Sequence, residues 1–154
     1  SLVTQKRQRK SVQKIGGIKC RVWVKKSNHF FGLKTIWFGS NQVQIADPHR
    51  LLVDILDKPD FGGGGRHAVD IVKQYWESEK SNPEQLMEYA TQYGKGTVMK
   101  RLGFLSEQFE ASVSDEWLEK CRSLKSTGVS NLDPSSPTKG KISSKWGLRV
   151  NLPI

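Results

Sequence analysis

The apolar residues of the chain follow two different periods, one before residue 47 and one after it. In the first part, Ile18, Cys20, Val22 and Val24 alternate with a second set of residues, which is typical of a half-buried strand. This second set is Lys19, Arg21, Trp23 and Lys25. Gly16-Gly17 precedes this strand with the spacing of a two-residue hairpin turn. Residues 1–46 are therefore predicted to be mainly strands. Besides Ile18–Val24, the predicted strands are Leu2–Thr4, Val12–Ile15, Thr35–Phe38 and Val43–Ile45.

From residue 47 onward, apolar residues recur every three or four positions, as they do on one face of a helix. Asp47-Pro48 predicts the start of the first helix, because Asp is a favoured N-cap and Pro is favoured at the first helical position. The second helix is predicted at about Arg66–Glu77. Three more follow, which begin at Pro83, near Val98 and after Ser114. Residues 47–125 are predicted to be helical.

The last part of the chain has a different composition. Residues 126–140 are rich in Ser, Thr, Gly and Pro, which predicts a long surface loop. Ile142 and Leu148–Leu152 then predict a final strand. Because a terminal strand needs a sheet to join, we expect it to return to the strands of residues 1–46. The chain is thus predicted to be a single α+β domain over residues 1–154: an N-terminal antiparallel sheet, about five helices and a returning C-terminal strand.

The net charge of +10 is unevenly distributed along the 154 residues. Residues 1–50 carry +10, residues 51–122 carry −4 and residues 123–154 carry +4. Eleven basic residues against one acidic residue in the first segment favour a polyanionic partner such as nucleic acid. The candidate nucleic-acid-binding residues are Lys6, Arg7, Arg9, Lys10, Lys14, Lys25, Lys26, Lys139, Lys141 and Lys145. We expect strand pairing to bring Lys139, Lys141 and Lys145 close to the others.

The chain offers little catalytic chemistry. Its three His and two Cys lack the spacing of a zinc site, and Cys20 and Cys121 fall on predicted apolar faces as small core residues. A cluster of acids leaves a degenerate nuclease or modifying enzyme open, but no Asp-x-Lys or Glu-x-Lys pattern completes a nuclease site. We therefore expect no enzyme, no metal and no cofactor. The clustered acids are Asp47, Asp54, Asp57 and Asp60.

The glycine run Gly62–Gly65 has three interpretations. A phosphate-binding P-loop fails, because the run follows a helix and no Gly-Lys-Ser/Thr ends it. A KH-like RNA-binding loop between two helices stays an alternative, in which changing Gly63 and Gly64 to Asp would abolish binding. A turn that lets two helices pack closely is favoured. For Trp23, stacking on a base and packing beneath the helices are both left open.

The ordered motifs resemble a known family. The segment 45–54 (IADPHRLLVD), followed by Pro59 and the glycine run, is similar to a segment of AbiEi-type antitoxins, the transcriptional regulators of type IV abortive-infection toxin–antitoxin systems. Arg50 and Asp54 match the family, whereas His49 and Leu51 replace its Glu and Thr. Segment 100–105 (KRLGFL) resembles a conserved family helix, and residues 140–151 its closing strand. The motif residues Asp47, Arg50, Asp54, Gly63 and Gly64 are interpreted as structural, with Arg50 and Asp54 paired at i and i+4.

The resemblance implies a non-catalytic antitoxin and transcriptional autoregulator. Such proteins bind their own promoter DNA and counter a nucleotidyltransferase-like toxin without a tight complex. The family's N-terminal winged helix-turn-helix has no counterpart here, so the chain is expected to correspond to the C-terminal domain alone. In that domain the basic residues would add phosphate contacts that do not depend on sequence. We expect a cytoplasmic location and no membrane partner, since no apolar run is long enough to span a bilayer; self-association stays open.

Overall fold

The computed structural model of the protein describes residues 2–4, 12–15, 17–24 and 30–154, and its class is α+β, as predicted. A short 3-10 helix, Pro59–Gly62, separates the first two α-helices. The strands are β1 (Leu2–Thr4), β2 (Val12–Ile15), β3 (Ile18–Val24), β4 (Leu33–Phe38), β5 (Asn41–Ala46), β6 (Ser130–Asn131), β7 (Lys141–Ser143) and β8 (Leu148–Val150). The helices are α1 (Pro48–Asp57), α2 (Gly65–Trp76), α3 (Pro83–Tyr93), α4 (Gly96–Gln108) and α5 (Asp115–Leu124).

The N-terminal strands form two separate sheets instead of one. The first has the order β1-β3-β2, and the second is the hairpin β4-β5. β2 and β3 are antiparallel, as predicted, but β1 is parallel to β3. The prediction of an antiparallel sheet was therefore wrong at β1. The sequence pattern identifies the strands but contains no information on the direction in which β1 joins β3.

Helices α1, α3 and α5 begin at a side chain that caps a free backbone N–H group, whereas α2 and α4 begin without a side-chain cap. The Asp47 side chain accepts a hydrogen bond from the Arg50 amide at the start of α1, at 2.9 Å. Asn82 caps α3 through the Gln85 amide, and Ser114 caps α5 in the same way. Each cap replaces a hydrogen bond that the first helical turn cannot make within the helix.

The core lies among the five helices, with α4 at its centre. Residues 98–106 of α4 are all buried, and the helix contacts α1, α2, α5 and β8. Trp146, only 1% exposed, packs against α4 at Gly103. A Cβ at Gly103 would lie 2.1 Å from the indole ring, so only glycine permits this contact. α4 therefore joins the helical layer to the C-terminal strands.

The last strand does not return to the N-terminal strands, so that part of the prediction was wrong. β8 is the central strand of a small sheet with the order β6-β8-β7. The loop of residues 126–140 supplies β6, because two buried cations of α4 hold it in place. The Lys100 ammonium donates to the Gly128 carbonyl at 2.7 Å, and the Arg101 guanidinium donates to the Asn131 carbonyl at 2.9 Å.

Within the described ranges, no helix combines the length and apolar character needed to cross a membrane.

Candidate functional site

The hairpin of β2 and β3 places two lysines directly opposite each other. The antiparallel register pairs Lys14 with Lys19, and both residues are exposed. Side chains at directly opposed positions have Cβ atoms only about 5 Å apart, where like charges destabilise the sheet. Residues 1–46 contain no Asp or Glu to compensate this repulsion. The pair is therefore a natural position for an external anion.

Lys19 was missed as a candidate, although the sequence contained the signal for it. The two-residue turn predicted at Gly16-Gly17 implies that Ile15 lies opposite Ile18, and the structure has this register, which places Lys14 opposite Lys19. Of the sequence-based candidates, Lys14 is thus placed at the surface. Six others lie outside the described residues, and their roles stay predictions. These six are Lys6, Arg7, Arg9, Lys10, Lys25 and Lys26.

The three C-terminal candidates occupy different environments. Lys139 and Lys141 are exposed at the start of β7, and no ion pair with an acid of the described residues involves them. The Lys145 ammonium instead forms an ion pair with Glu107 of α4. β7 pairs with β8, so strand pairing does not bring these lysines beside β2 and β3. The expectation of adjacency through a shared sheet was wrong.

The motif residues Asp47, Arg50 and Asp54 form a buried cluster on α1. Arg50 is 2% exposed and binds Asp54 through two hydrogen bonds, Nε to Oδ2 at 3.1 Å and Nη2 to Oδ1 at 3.0 Å. This confirms the predicted i, i+4 pair. Asp47, besides capping α1, accepts a hydrogen bond from the Tyr89 hydroxyl at 3.1 Å.

The same cluster attaches the β4-β5 hairpin to the helices. The Arg50 guanidinium lies between two aromatic rings, 4.2 Å from the centre of Phe31 and 4.8 Å from that of Tyr93. Phe31 lies two residues before the first strand of the hairpin, and the Asp47 amide donates to the intervening Gly32 carbonyl at 2.9 Å. Gly32 fits closely, because a Cβ there would meet Tyr89 at 2.7 Å. The arginine therefore fixes the direction in which the hairpin leaves the helical layer.

The remaining clustered acids also have partners inside the fold. The Tyr93 hydroxyl donates to Asp57 at 2.6 Å, and the Lys95 ammonium binds the same carboxylate at 2.9 Å. Asp60 accepts a hydrogen bond from the Ser135 hydroxyl at 3.2 Å. Among the residues with described positions, no group of three or more His, Cys, Asp or Glu side chains is arranged to hold a metal ion.

The glycine run makes a close turn between α1 and α2. Gly63 and Gly64 have positive φ values of 92° and 111°, which favour glycine. A Cβ at Gly65 would lie 2.4 Å from the Asp133 carboxylate. Burial alone would raise the pKa of Asp133, but hydrogen bonds from Ser136 and Ser135 outweigh it and lower the pKa. A negative charge therefore already lies beside the start of α2, where a phosphate would have to bind.

Cys121 and His49 are both withdrawn at least in part from solvent. Cys121 is fully buried in the core, and burial raises the pKa of its thiol to about 12, so the predicted core role is confirmed. His49 is partly buried, with Nδ1 2.9 Å from the Tyr75 hydroxyl. The side chains of Cys20 and Trp23 are outside the description.

Comparison of the chain with protein-family models, with curated proteins and with solved structures finds no match.

Proposed function

We propose that this chain is a non-catalytic regulatory domain that binds DNA through its phosphates and belongs functionally to the AbiEi-type antitoxins. The opposed Lys14 and Lys19 side chains carry the DNA-binding part of the proposal. Each lysine is exposed, and their mutual repulsion is relieved when a phosphate binds between them. The absence of acidic residues from positions 1–46 extends the same positive field along the segment.

The antitoxin part of the proposal rests on the sequence motifs. In that function the domain would assist binding of the full-length regulator to its own promoter, in the cytoplasm. It would counter a nucleotidyltransferase-like toxin without a tight complex. The buried Arg50–Asp54 pair is consistent with a structural role for the motif, because its charged atoms are turned inward.

The two alternatives have less support. For an enzyme, Asp47, Asp54, Asp57 and Asp60 would have to act on a substrate, yet each already has a partner inside the fold. For a KH-like loop, an RNA phosphate would have to approach Gly65 beside the Asp133 carboxylate. Repulsion between the phosphate and the Asp133 carboxylate would oppose binding.

A salt titration of duplex binding tests the proposal. The wild type is compared with the double variant Lys14→Ala, Lys19→Ala and with Lys80→Ala, Lys120→Ala, which removes the same charge from exposed helical and loop positions. The logarithm of the binding constant falls with the logarithm of the salt concentration, by about 0.9 for each phosphate contact. We expect the first variant to have the shallower slope and the second to match the wild type.

The same titration is repeated with the quadruple variant Lys6→Ala, Arg7→Ala, Arg9→Ala, Lys10→Ala, for which a shallower slope is also expected. Circular dichroism confirms that every variant is folded. Equal slopes for both double variants and the wild type, or no duplex binding by any of them, would contradict the proposal. The toxin or an RNA would then be the next partner to test for the basic surface.

A further inference from the structure

The β4-β5 hairpin is exposed on both faces. Trp37 is 64% exposed, and Leu33, Val43 and Ile45 are each about two-fifths exposed, at 38%, 41% and 43%. The strands are joined by a two-residue turn in which Gly39 has a φ of 60°. A two-stranded hairpin with both faces in water buries little apolar surface. Formation of the core therefore does not explain why these apolar side chains are exposed.

The register divides the hairpin into two chemically different faces. Thr35 pairs with Gln44 and Trp37 pairs with Gln42, so these four exposed residues share one face. The other face carries Ile36, Val43 and Ile45 together with Lys34, the only charged residue of the two strands. The first face thus combines uncharged hydrogen-bonding groups in its middle with Trp37 near the tip and the Leu33–Ala46 pair at the base.

The dimensions of this polar face match the major groove of B-DNA. The groove is about 12 Å wide and admits a two-stranded β-ribbon. Residues two positions apart on a strand are separated by about 6.8 Å, which equals two base-pair steps of about 3.4 Å. The Thr35–Gln44 and Trp37–Gln42 pairs would therefore lie over bases two steps apart.

The side chains also suit base edges. A Gln amide donates and accepts at once, and it can bind the N6 and N7 atoms of adenine in a bidentate manner. A Thr hydroxyl accepts or donates to any base edge. The two glutamines and the threonine therefore offer uncharged donors and acceptors on one exposed face.

The charge and the rigid base of the hairpin favour DNA over a protein partner. Ten basic and no acidic residues occupy positions 1–46, so the segment complements a polyanion. The contact of Arg50 with Phe31 and the hydrogen bond from Asp47 to Gly32 fix the hairpin base on α1. A hairpin whose base is fixed in this way loses little conformational entropy when it binds a partner.

We propose that the β4-β5 hairpin enters the major groove of duplex DNA and reads base edges with Gln42, Gln44 and Thr35. The inference rests on the proposed DNA-binding function and adds sequence readout to it. Lys14 and Lys19 then supply affinity, and the hairpin supplies base preference.

Selection from a pool of duplexes with a randomised centre tests the inference. The wild-type chain is expected to enrich a short motif that contains adenines. Binding of the enriched duplex and of a scrambled duplex is then measured for Gln42→Ala, Gln44→Ala and for the matched control Gln74→Ala, Gln92→Ala, whose amides are exposed on α2 and α3. We expect the hairpin variant to lose at least about tenfold in affinity for the enriched duplex only.

The outcomes distinguish base readout by the hairpin from the proposed phosphate binding on which it rests. Salt-dependent binding without any enriched motif, or equal losses on both duplexes, would overturn base readout and leave phosphate binding intact. No salt-dependent binding to either duplex would overturn both. Tighter binding to a hairpin RNA of the enriched sequence would also overturn the inference, because the A-form major groove is too narrow for a ribbon.

Discussion

At the scale of single residues, the fold depends on a buried ion pair between Arg50 and Asp54. Arg50 is almost inaccessible and has both a carboxylate partner, Asp54, and two aromatic neighbours. Taking either charge out of water alone is costly, whereas the bidentate pair offsets much of that cost. The stability of this site therefore depends on the presence of both partners, more than on either residue by itself.

Changing one partner should accordingly destabilise the protein more than changing both. We expect Arg50→Met to lower the free energy of unfolding by about 3–5 kcal/mol, because the buried Asp54 carboxylate loses both hydrogen bonds from the Arg50 guanidinium. The double variant Arg50→Met, Asp54→Leu should recover part of that loss. Urea unfolding measures both changes. A single variant within about 1 kcal/mol of the wild type would show that the Arg50–Asp54 pair contributes little to the stability of the fold.

At the scale of elements, starts of helices were predictable because their signals are local. Asp47, Asn82 and Ser114 each bind an amide three residues away, and sequence spacing alone reveals such caps. The partner of the last strand was not predictable. It depends on Lys100 and Arg101, which bind carbonyl groups about 30 residues later in the chain. Nothing in the amphipathic pattern of α4 marks these two cations as buried.

The candidate site also contains local contacts, which the sequence reveals, and distant contacts, which it does not. The Lys14–Lys19 pair follows from a two-residue turn and could be derived from the sequence. The ion pair of Lys145 with Glu107 could not, since it joins residues 38 positions apart. The polar face of the β4-β5 hairpin was also missed, because the predicted strands Thr35–Phe38 and Val43–Ile45 were too short to reveal the register.

The joint between α4 and the C-terminal sheet should make stability depend on pH. Glu107 accepts a hydrogen bond from the Trp146 indole at 2.7 Å and pairs with Lys145. Burial alone would raise the pKa of Glu107, but the contacts with Lys145 and Trp146 outweigh it and lower the pKa. The unfolded chain therefore binds a proton more readily, so this contribution is present above about pH 4.5 and is lost as the pH falls through the lower, folded pKa.

A comparison of the wild type with Glu107→Gln tests this dependence. The amide keeps an acceptor for the Trp146 indole but cannot lose or gain a proton. We expect the stability of the variant to fall less steeply than that of the wild type below about pH 4.5, as measured by urea unfolding at several pH values. Asp133 has a lowered pKa for a separate reason and is present in both proteins, so it cancels in the difference. Parallel curves would contradict the role of Glu107.

At the scale of the whole molecule, charge and stability oppose each other. The helical part carries −4, and the first 50 residues carry +10, which includes the opposed lysines of β2 and β3. Self-repulsion of this kind destabilises a compact chain and is weakened by salt. A protein that only needed to fold would gain from an acidic residue opposite Lys14. The proposed binding of a polyanion would account for this repulsion.

Lys19→Glu should therefore increase stability and weaken DNA binding at the same time. An opposite-charge pair with Lys14 replaces the repulsion and is expected to add about 0.2–1 kcal/mol to the free energy of unfolding. The same change places a negative charge where a phosphate would bind, so the affinity for duplex DNA should fall and its salt slope should become shallower. Lys120→Glu makes the same charge change on α5 and is expected to leave the salt slope unchanged. If Lys19→Glu stabilised the fold without loss of affinity, the hairpin charges would have no role in DNA binding. If Lys19→Glu lost affinity without a gain in stability, repulsion between Lys14 and Lys19 would be too weak to lower the free energy of unfolding.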